Sequence, residues 1–367
     1  MNIKILKKKI ANKKTNIGLI GVGYVAIKLL LEFSRKGYRI YCYDIDYKKL
    51  ENLKKGISPI SYISNNEIEK IKNKIVINRN FENISECDII IICLPTPLKK
   101  NKPDLSHIHN VFNQIKKKLR KWQTIILEST TYPGSTEEIF KSFLERKFQL
   151  DKNFFLIYSP ERENPGMKNF SYNKIPKVVS GLGTNSKLIG KQIYSSIFSK
   201  IILTSSIQIA ELTKLLENIY RSINIALINE LKMLTHKLGL DLNETINAAK
   251  SKPFGFAEFR PGPGVGGHCI PIDPLYLSWL AKKNNFDAKF IKLASEINIK
   301  TTKWCINQIN KNIKKFNLTK ILLIGIAYKK NIEDTRESAG IKIFEYFKSK
   351  KMKIDYFDPY VKKHIFE

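Results

Sequence analysis

A chain of 367 residues with 43% hydrophobic and 11% aromatic content has room for two or three cores and the make-up of a folded globular protein. Its formal net charge of +31 invites a nucleic-acid partner, but only nine of its 64 basic residues are Arg and the lysines are spread along the whole chain, so none is expected. No uncharged apolar run reaches the roughly 18 residues of a membrane span, and the basic stretch 1–14 lacks the apolar core of a secretory signal, so a cytoplasmic protein with no membrane partner is expected.

The first element is a short apolar strand, NIGLIG at 16–21, followed by glycines and then by the helical pattern Val25, Leu29, Leu30, Phe33. A second strand over 38–43 ends at Asp44. Strand-like runs recur at 75–77, 89–94, 124–127, 154–158 and 178–180, with helical stretches between several of them. Strands alternating with helices predict a parallel sheet covered on both faces.

From Ser206, a candidate N-cap, to about Leu238 the period becomes helical, with Ile209, Leu212, Leu216, Ile219, Ile223, Leu227, Leu231 and Leu234 on one recurring face. A helix of that length connects domains or forms a subunit interface. A further helix follows at 243–250, then a Pro/Gly loop over 253–267, then more helices over 274–316. KILLIGIAY at 320–328 then repeats the layout of NIGLIGVGY at 16–24, and its helix leads to a strand ending at Asp358, as the first unit's does at Asp44.

The expected fold is therefore α/β: two Rossmann-like parallel-sheet domains joined by a helical middle with one long helix. The predicted divisions are 1–204, 205–316 and 317–367. The second unit stops nine residues beyond Asp358, so the C-terminal domain reads as truncated.

Gly21-x-Gly23-x-x-Ala26 between a strand and a helix, with Asp44 closing the next strand, is the pattern that brings backbone against a pyrophosphate and an acid against a ribose. The plainer alternative is a glycine turn with no cofactor. With no Arg beside it, Asp44 favours NAD over NADP, because a 2′-phosphate would meet its charge. Thr96 follows the strand at 89–94, in the loop Cys93-Leu-Pro-Thr96-Pro97, where a cofactor contact and a simple proline turn are both open readings. Glu128-Ser-Thr130-Thr-Tyr-Pro-Gly and Ser159-Pro-Glu161-Arg162 follow the next two strands, so three polar loops are expected to converge on one crevice.

Five cysteines in an odd set, with no CxxC or Cys/His ligand spacing, predict neither a disulfide framework nor a metal site. Cys269 differs from the others, since glycines flank it in Arg260-Pro-Gly-Pro-Gly-Val-Gly266-Gly-His-Cys269 and Asp273 stands four residues on. An accessible thiolate beside an acid suits covalent catalysis; an inert core cysteine is the alternative. On the long helix Glu211, Lys214 and Asn218 share one stripe, which offers either donors to an oxyanion or a solvated face. Arg162, Arg260 and Arg336 fall inside these motifs, and Arg grips phosphate and carboxylate bidentately.

ESTTYPG (128–134), SPERENPG (159–166), FRPGPGVGGHCIPIDPLYL (259–277) and IAYKKNIEDTRES (326–338) together resemble the UDP-glucose/UDP-N-acetylhexosamine 6-dehydrogenase family, from Ile17 to about Tyr360. The wording is especially similar to the UDP-N-acetylglucosamine 6-dehydrogenase branch. The resemblance implies a four-electron, NAD-dependent oxidation of a UDP-sugar at C6, in a homodimer. It implies Cys269 as the nucleophile carrying a thioester, Lys214 and Asn218 on the oxyanion, Asp273 and Thr130 on water, and Glu161 as acid/base. Gly21, Gly23, Tyr24, Val25, Asp44, Thr96, Thr130 and Arg336 would meet the cofactor. Glu161, Arg162, Lys214, Arg260, Gly266 and Lys329 would meet the substrate, Arg260 across a dimer interface. Glucose-specific relatives carry a second glutamate where this chain has Pro165, which favours an N-acetylated sugar. UDP-glucose oxidation and a truncated, non-catalytic remnant are the alternatives, with a β-hydroxyacid-type dehydrogenase behind them.

Overall fold

The computed structural model describes residues 2–60, 63–163, 171–267 and 270–362. The chain forms two compact units, residues 1–215 and 216–367. The strands in chain order are β1 (Asn16–Ile20), β2 (Arg39–Tyr43), β3 (Ile75–Asn78), β4 (Ile89–Ile92), β5 (Leu98–Lys99), β6 (Lys102–Pro103), β7 (Thr124–Leu127), β8 (Phe155–Tyr158), β9 (Lys177–Gly181), β10 (Ile201–Leu203), β11 (Lys320–Ile324) and β12 (Lys353–Phe357).

In the first unit eight strands form one sheet in the order β10-β9-β8-β7-β4-β1-β2-β3, while β5 and β6 make a small separate hairpin. All neighbours in the eight-stranded sheet pair parallel except β8 and β9, which are antiparallel. β4 is four consecutive isoleucines, all buried, as a central strand covered on both faces requires. Helix Ala26–Arg35 buries Leu29, Leu30 and Phe33 against the sheet, and helix Thr184–Tyr194 buries Ile189, Ile193 and Tyr194. The alternation of strand and helix seen in the sequence is thus realised, and crossovers of this kind open the carboxyl ends of the strands to ligands.

A nine-residue helix, Ile3–Ala11, precedes β1, where the sequence suggested only a basic stretch. Leu6 and Ile10 on one face enter the main core, and Lys9 pairs with buried Asp88 at 2.9 Å.

The long helix runs Ile207–Leu238, and Ser206 Oγ accepts the Ile209 N–H at 3.3 Å, as an N-cap does. In the second unit helix Leu242–Ala249 starts at an Asp241 cap, and Asp273–Lys283 and Lys289–Phe316 follow. β11 and β12 pair parallel around helix Ala339–Ser349. The echo between chain ends holds in detail. Asp44 Oδ2 accepts the Val22 N–H at 2.7 Å, and Asp358 Oδ2 accepts the Ile326 and Ala327 N–H groups at 2.9 and 3.1 Å. Among the described residues no helix is long and apolar enough to cross a membrane.

Candidate active site

The glycine turn after β1 is built by close approach. Gly21 has φ +84°, and a Cβ there would lie 2.4 Å from the Cys93 carbonyl oxygen, so no side chain is tolerated. At Gly23 an added Cβ would meet nothing within 4 Å, which leaves open space beside the start of helix Ala26–Arg35. Tyr24 and Val25 are half-buried at that helix start. Asp44 closes β2 with Oδ2 on the turn and Oδ1 accepting the Asp46 N–H at 2.9 Å.

The loops after β4 and β7 are tied together. Thr96 Oγ1 donates to the Thr130 carbonyl at 2.8 Å, and the Leu94 N–H donates to Ser129 Oγ at 2.9 Å. The β7 loop is in turn pinned to the long helix by Glu211. One of its oxygens accepts the Gly134 N–H at 2.6 Å; the other accepts the Thr136 N–H at 2.9 Å, Thr136 Oγ1 at 2.6 Å and Ser135 Oγ at 3.0 Å. Glu211 is fully buried, so the solvated-stripe alternative does not hold for it. It caps helix Ser135–Lys147, where a carboxylate meets the positive end of the helix dipole. Burial raises its carboxyl above the usual value, against the pull of those donors.

Glu161, after β8, lies in a buried charge cluster. Its Oε1 accepts the N–H groups of Arg162 (2.8 Å) and Glu163 (2.7 Å), and its Oε2 accepts Tyr172 O–H (2.8 Å) and Lys177 Nζ (3.2 Å). Lys177 also donates to Glu128 Oε2 at 2.8 Å, and Tyr194 O–H makes a very short hydrogen bond to Glu128 Oε1. Burial alone would raise Glu161, but Lys177 and the donors outweigh it and hold the carboxyl low. Burial pushes Glu128, with fewer donors, up to about 7. Lys177 is raised: the two carboxylates outweigh the cost of burying its charge. Arg162 Nη1 donates to the Pro176 carbonyl at 2.7 Å.

Lys214, buried on the long helix, lies one turn before Asn218. Asn218 Nδ2 donates to Asp273 Oδ2 at 2.5 Å, and Asp273 is buried as the first residue of its helix. The glycine loop ahead of it is gripped by buried polar groups of two helices. Gly262 N–H donates to Asn229 Oδ1 at 3.0 Å, Asn229 donates to Asn298 at 3.2 Å, and Thr302 Oγ1 donates to the Pro263 carbonyl at 2.8 Å.

At Gly267, φ +82°, a Cβ would fall 2.6 Å from the Tyr328 ring, and at Gly266 one would fall 2.7 Å from Tyr328 Cβ. The Gly267 N–H donates to the Arg336 carbonyl at 2.9 Å. These glycines are therefore demanded by the IAYKK and TRES segments packed on them. Arg336 is exposed, with its guanidinium on Asp334 at 2.6 Å, and Lys329 is half-buried. Arg260 is exposed and holds Glu258, Asn243 and Asn247. Cys269 and Pro165 lie outside the described residues.

Lys177, Tyr172 and Tyr194 escaped the sequence reading. The one signal was a lysine opening an otherwise apolar strand, and hydropathy assigns such a residue to water.

The UDP-glucose/GDP-mannose dehydrogenase family is matched in all three of its parts: the NAD binding domain over residues 15–202, the central domain over 208–300 and the UDP binding domain over 322–367. The expected truncation of the last domain finds no support, because that match continues to residue 367. UDP-N-acetyl-D-glucosamine 6-dehydrogenase of Pseudomonas aeruginosa is 32% identical, over 95% of this chain and 84% of that protein. UDP-N-acetyl-D-mannosamine dehydrogenase of Methanocaldococcus jannaschii is 31% identical, over 96% and 82%. The solved structure of the UDP-D-ManNAc dehydrogenase of Pyrococcus horikoshii superposes with a TM-score of 0.87 at 28% identity, covering 94% of this chain and 84% of that one.

Proposed function

The chain belongs to the UDP-glucose/GDP-mannose dehydrogenase family and is an NAD-dependent UDP-sugar dehydrogenase; from that premise we propose that it oxidises UDP-N-acetylglucosamine at C6 to the uronate. The observation that carries the proposal is the joint presence of a dinucleotide turn, a half-buried Asn218 bonded to buried Asp273 and a glycine loop ending at Cys269.

The turn fits a dinucleotide. Gly21 admits no side chain, Gly23 leaves open space at a helix start, and Asp44 retains acceptor capacity for ribose hydroxyls. Gly21, Gly23, Tyr24, Val25, Asp44, Thr96 and Thr130 would hold NAD, with Arg336 as a further contact. Bound there, NAD would supply the hydride acceptor for each oxidation at C6.

The remaining chemistry belongs to the chain. In the first oxidation the C6 hydroxyl proton leaves to water, and Lys214 and Asn218 donate to the C6 oxygen as negative charge develops on it. After the first oxidation the Cys269 thiolate adds to the aldehyde carbon, and the oxygen takes up a proton to give a thiohemiacetal. Loss of a second hydride and that proton leaves a thioester on Cys269. Water oriented by Asp273 and Thr130 then adds to the thioester carbonyl, and the C–S bond breaks, releasing carboxylate and thiol. Glu161 serves as acid/base in that hydrolysis. Its four filled acceptor contacts mean that it must lose one donor in order to take a proton. Arg162, Arg260, Gly266 and Lys329 contact the UDP-sugar.

The division into 1–204, 205–316 and 317–367 assigns cofactor, central and UDP-sugar roles in that order. A homodimer is part of the same proposal. Leu216, Tyr220, Leu227, Leu234 and Leu238 are exposed at helical spacing on the long helix, an apolar stripe suited to a second copy. The reaction takes place where NAD and nucleotide sugars are pooled, in the cytoplasm.

UDP-N-acetylmannosamine is the second reading, favoured by the Methanocaldococcus and Pyrococcus relatives. A coupled NADH assay against UDP-N-acetylglucosamine, UDP-N-acetylmannosamine and UDP-glucose tests the choice. Turnover of the first at least tenfold above the others is expected. Preference for either of the others overturns the substrate.

A further inference from the structure

The cluster behind Glu161 holds charge that none of the roles above uses. Lys177 opens β9, a strand buried along its whole length, and its side chain is 2% exposed. Its ammonium bridges two buried carboxylates, Glu128 at 2.8 Å and Glu161 at 3.2 Å. The Tyr194 and Phe198 rings wall it in, with centroids 5.2 and 5.5 Å from Nζ. One buried cation between two buried anions leaves an excess negative charge, which the interior tolerates when donors surround it or one carboxylate takes a proton.

The two carboxylates are not equivalent. Glu161 accepts from two backbone N–H groups, Tyr172 and Lys177, whereas Glu128 accepts from Lys177 and Tyr194. Fewer donors make Glu128 the member that takes the proton first. The other titratable groups that face the cluster are Cys93 from the loop after β4, whose thiol burial pushes well above its usual value, and Glu163, which acts on Tyr172. Tyr172 and Tyr194 are held well above the usual phenol range, by burial first and then by the carboxylates beside them, so neither phenol competes for that proton.

We propose that Lys177 and Glu128 are positioning residues for Glu161: Lys177 orients Oε2, and the charge on Glu128 sets how strongly that ammonium is drawn to Glu161 and so how readily Glu161 accepts a proton. When Glu128 is protonated, Lys177 pairs with Glu161 alone and keeps it a weak base. When Glu128 ionises, its proton leaves to solvent, the ammonium is shared, and Glu161 becomes more basic. The effect is electrostatic, and no bond changes at Lys177. It rests on the acid/base reading of Glu161 given above.

The test is the pH profile of kcat from pH 5.5 to 9, at saturating NAD and UDP-N-acetylglucosamine, with Tm measured for each variant. The wild type should rise through an ionisation near neutrality. Glu128→Gln, close to isosteric, should lose that inflection while remaining folded. Tyr194→Phe, which removes a donor from Glu128, should move the inflection to higher pH and serves as the second route if the first variant is unstable. An unchanged inflection in either variant overturns the proposal. Glu161→Gln separates the two claims. Wild-type turnover in that variant removes the acid/base reading and the proposal together. A hundredfold loss in that variant, beside an unchanged Glu128→Gln profile, removes the tuning alone.

Discussion

Replacing Glu211 by Ala should destabilise the first unit and slow the chemistry in the same step. Its carboxylate satisfies two backbone N–H groups, of Gly134 and Thr136, and two hydroxyls at the start of helix Ser135–Lys147. The hydroxyls can rotate to other partners, but the N–H groups cannot. Two buried donors left unsatisfied at ~1–3 kcal/mol each, with the lost helix-dipole interaction, amount to about 3–5 kcal/mol. Glu211→Gln keeps one acceptor but turns an amide N–H2 toward a donor, so about 1–3 kcal/mol is expected.

Urea unfolding followed by fluorescence measures both variants. The folded-state pKa of Glu211 is raised above its unfolded value, chiefly by burial. The sign follows directly: its contribution to stability is complete at acid pH and is lost as pH rises through the raised value. The difference between wild type and Glu211→Gln should therefore narrow with rising pH. Because the same loop carries Thr130, kcat should fall by about tenfold or more at a temperature where the variant is still folded. Glu211→Ala with unfolding free energy within ~0.5 kcal/mol of wild type would refute the capping role, since surface changes lie in that range.

Gly267→Ala places a Cβ 2.6 Å from the Tyr328 ring at φ +82°, and a loss of about 2–4 kcal/mol in urea unfolding is expected; a stable, active variant would show that the loop need not pack there. Asp44→Ala should raise KM for NAD by about tenfold and leave KM for NADP little changed, which narrows the preference for NAD; equal use of NADP by the wild type would remove the ribose role.

Much of this was legible because periodicity reports burial. The isoleucines of β4, the alternation of strands and helices and the long helix all follow from apolar spacing, which depends only on local sequence. The glycine turn was legible as a local spacing of glycines, although what forbids a side chain at Gly21 is the Cys93 carbonyl, far along the chain. What escaped depends on partners far apart in sequence. Glu211 looks like a polar position on a helix face until Thr136, 75 residues earlier, brings its helix start onto it. Lys177 is a surface residue by composition and becomes a core one only when Glu128 and Glu161 are placed in the loops that follow the neighbouring strands β7 and β8. Helix Ile3–Ala11 docks through Leu6 and Ile10 in the main core and through Lys9 meeting Asp88, 79 residues on. Gly266 was read as a substrate contact, and its packing against Tyr328 and the 337–338 backbone gives a local reason for glycine that spacing alone could not supply.

The central claim is that one chain carries a sugar through two oxidations by way of a bond to Cys269. Its most direct test is the yield of NADH per molecule of UDP-N-acetylglucosamine consumed, measured to completion for the wild type and Cys269→Ser. Two NADH per sugar are expected from the wild type, and at most one, formed slowly and without steady uronate production, from the variant. Two NADH per sugar at a sustained rate from Cys269→Ser would contradict the covalent mechanism.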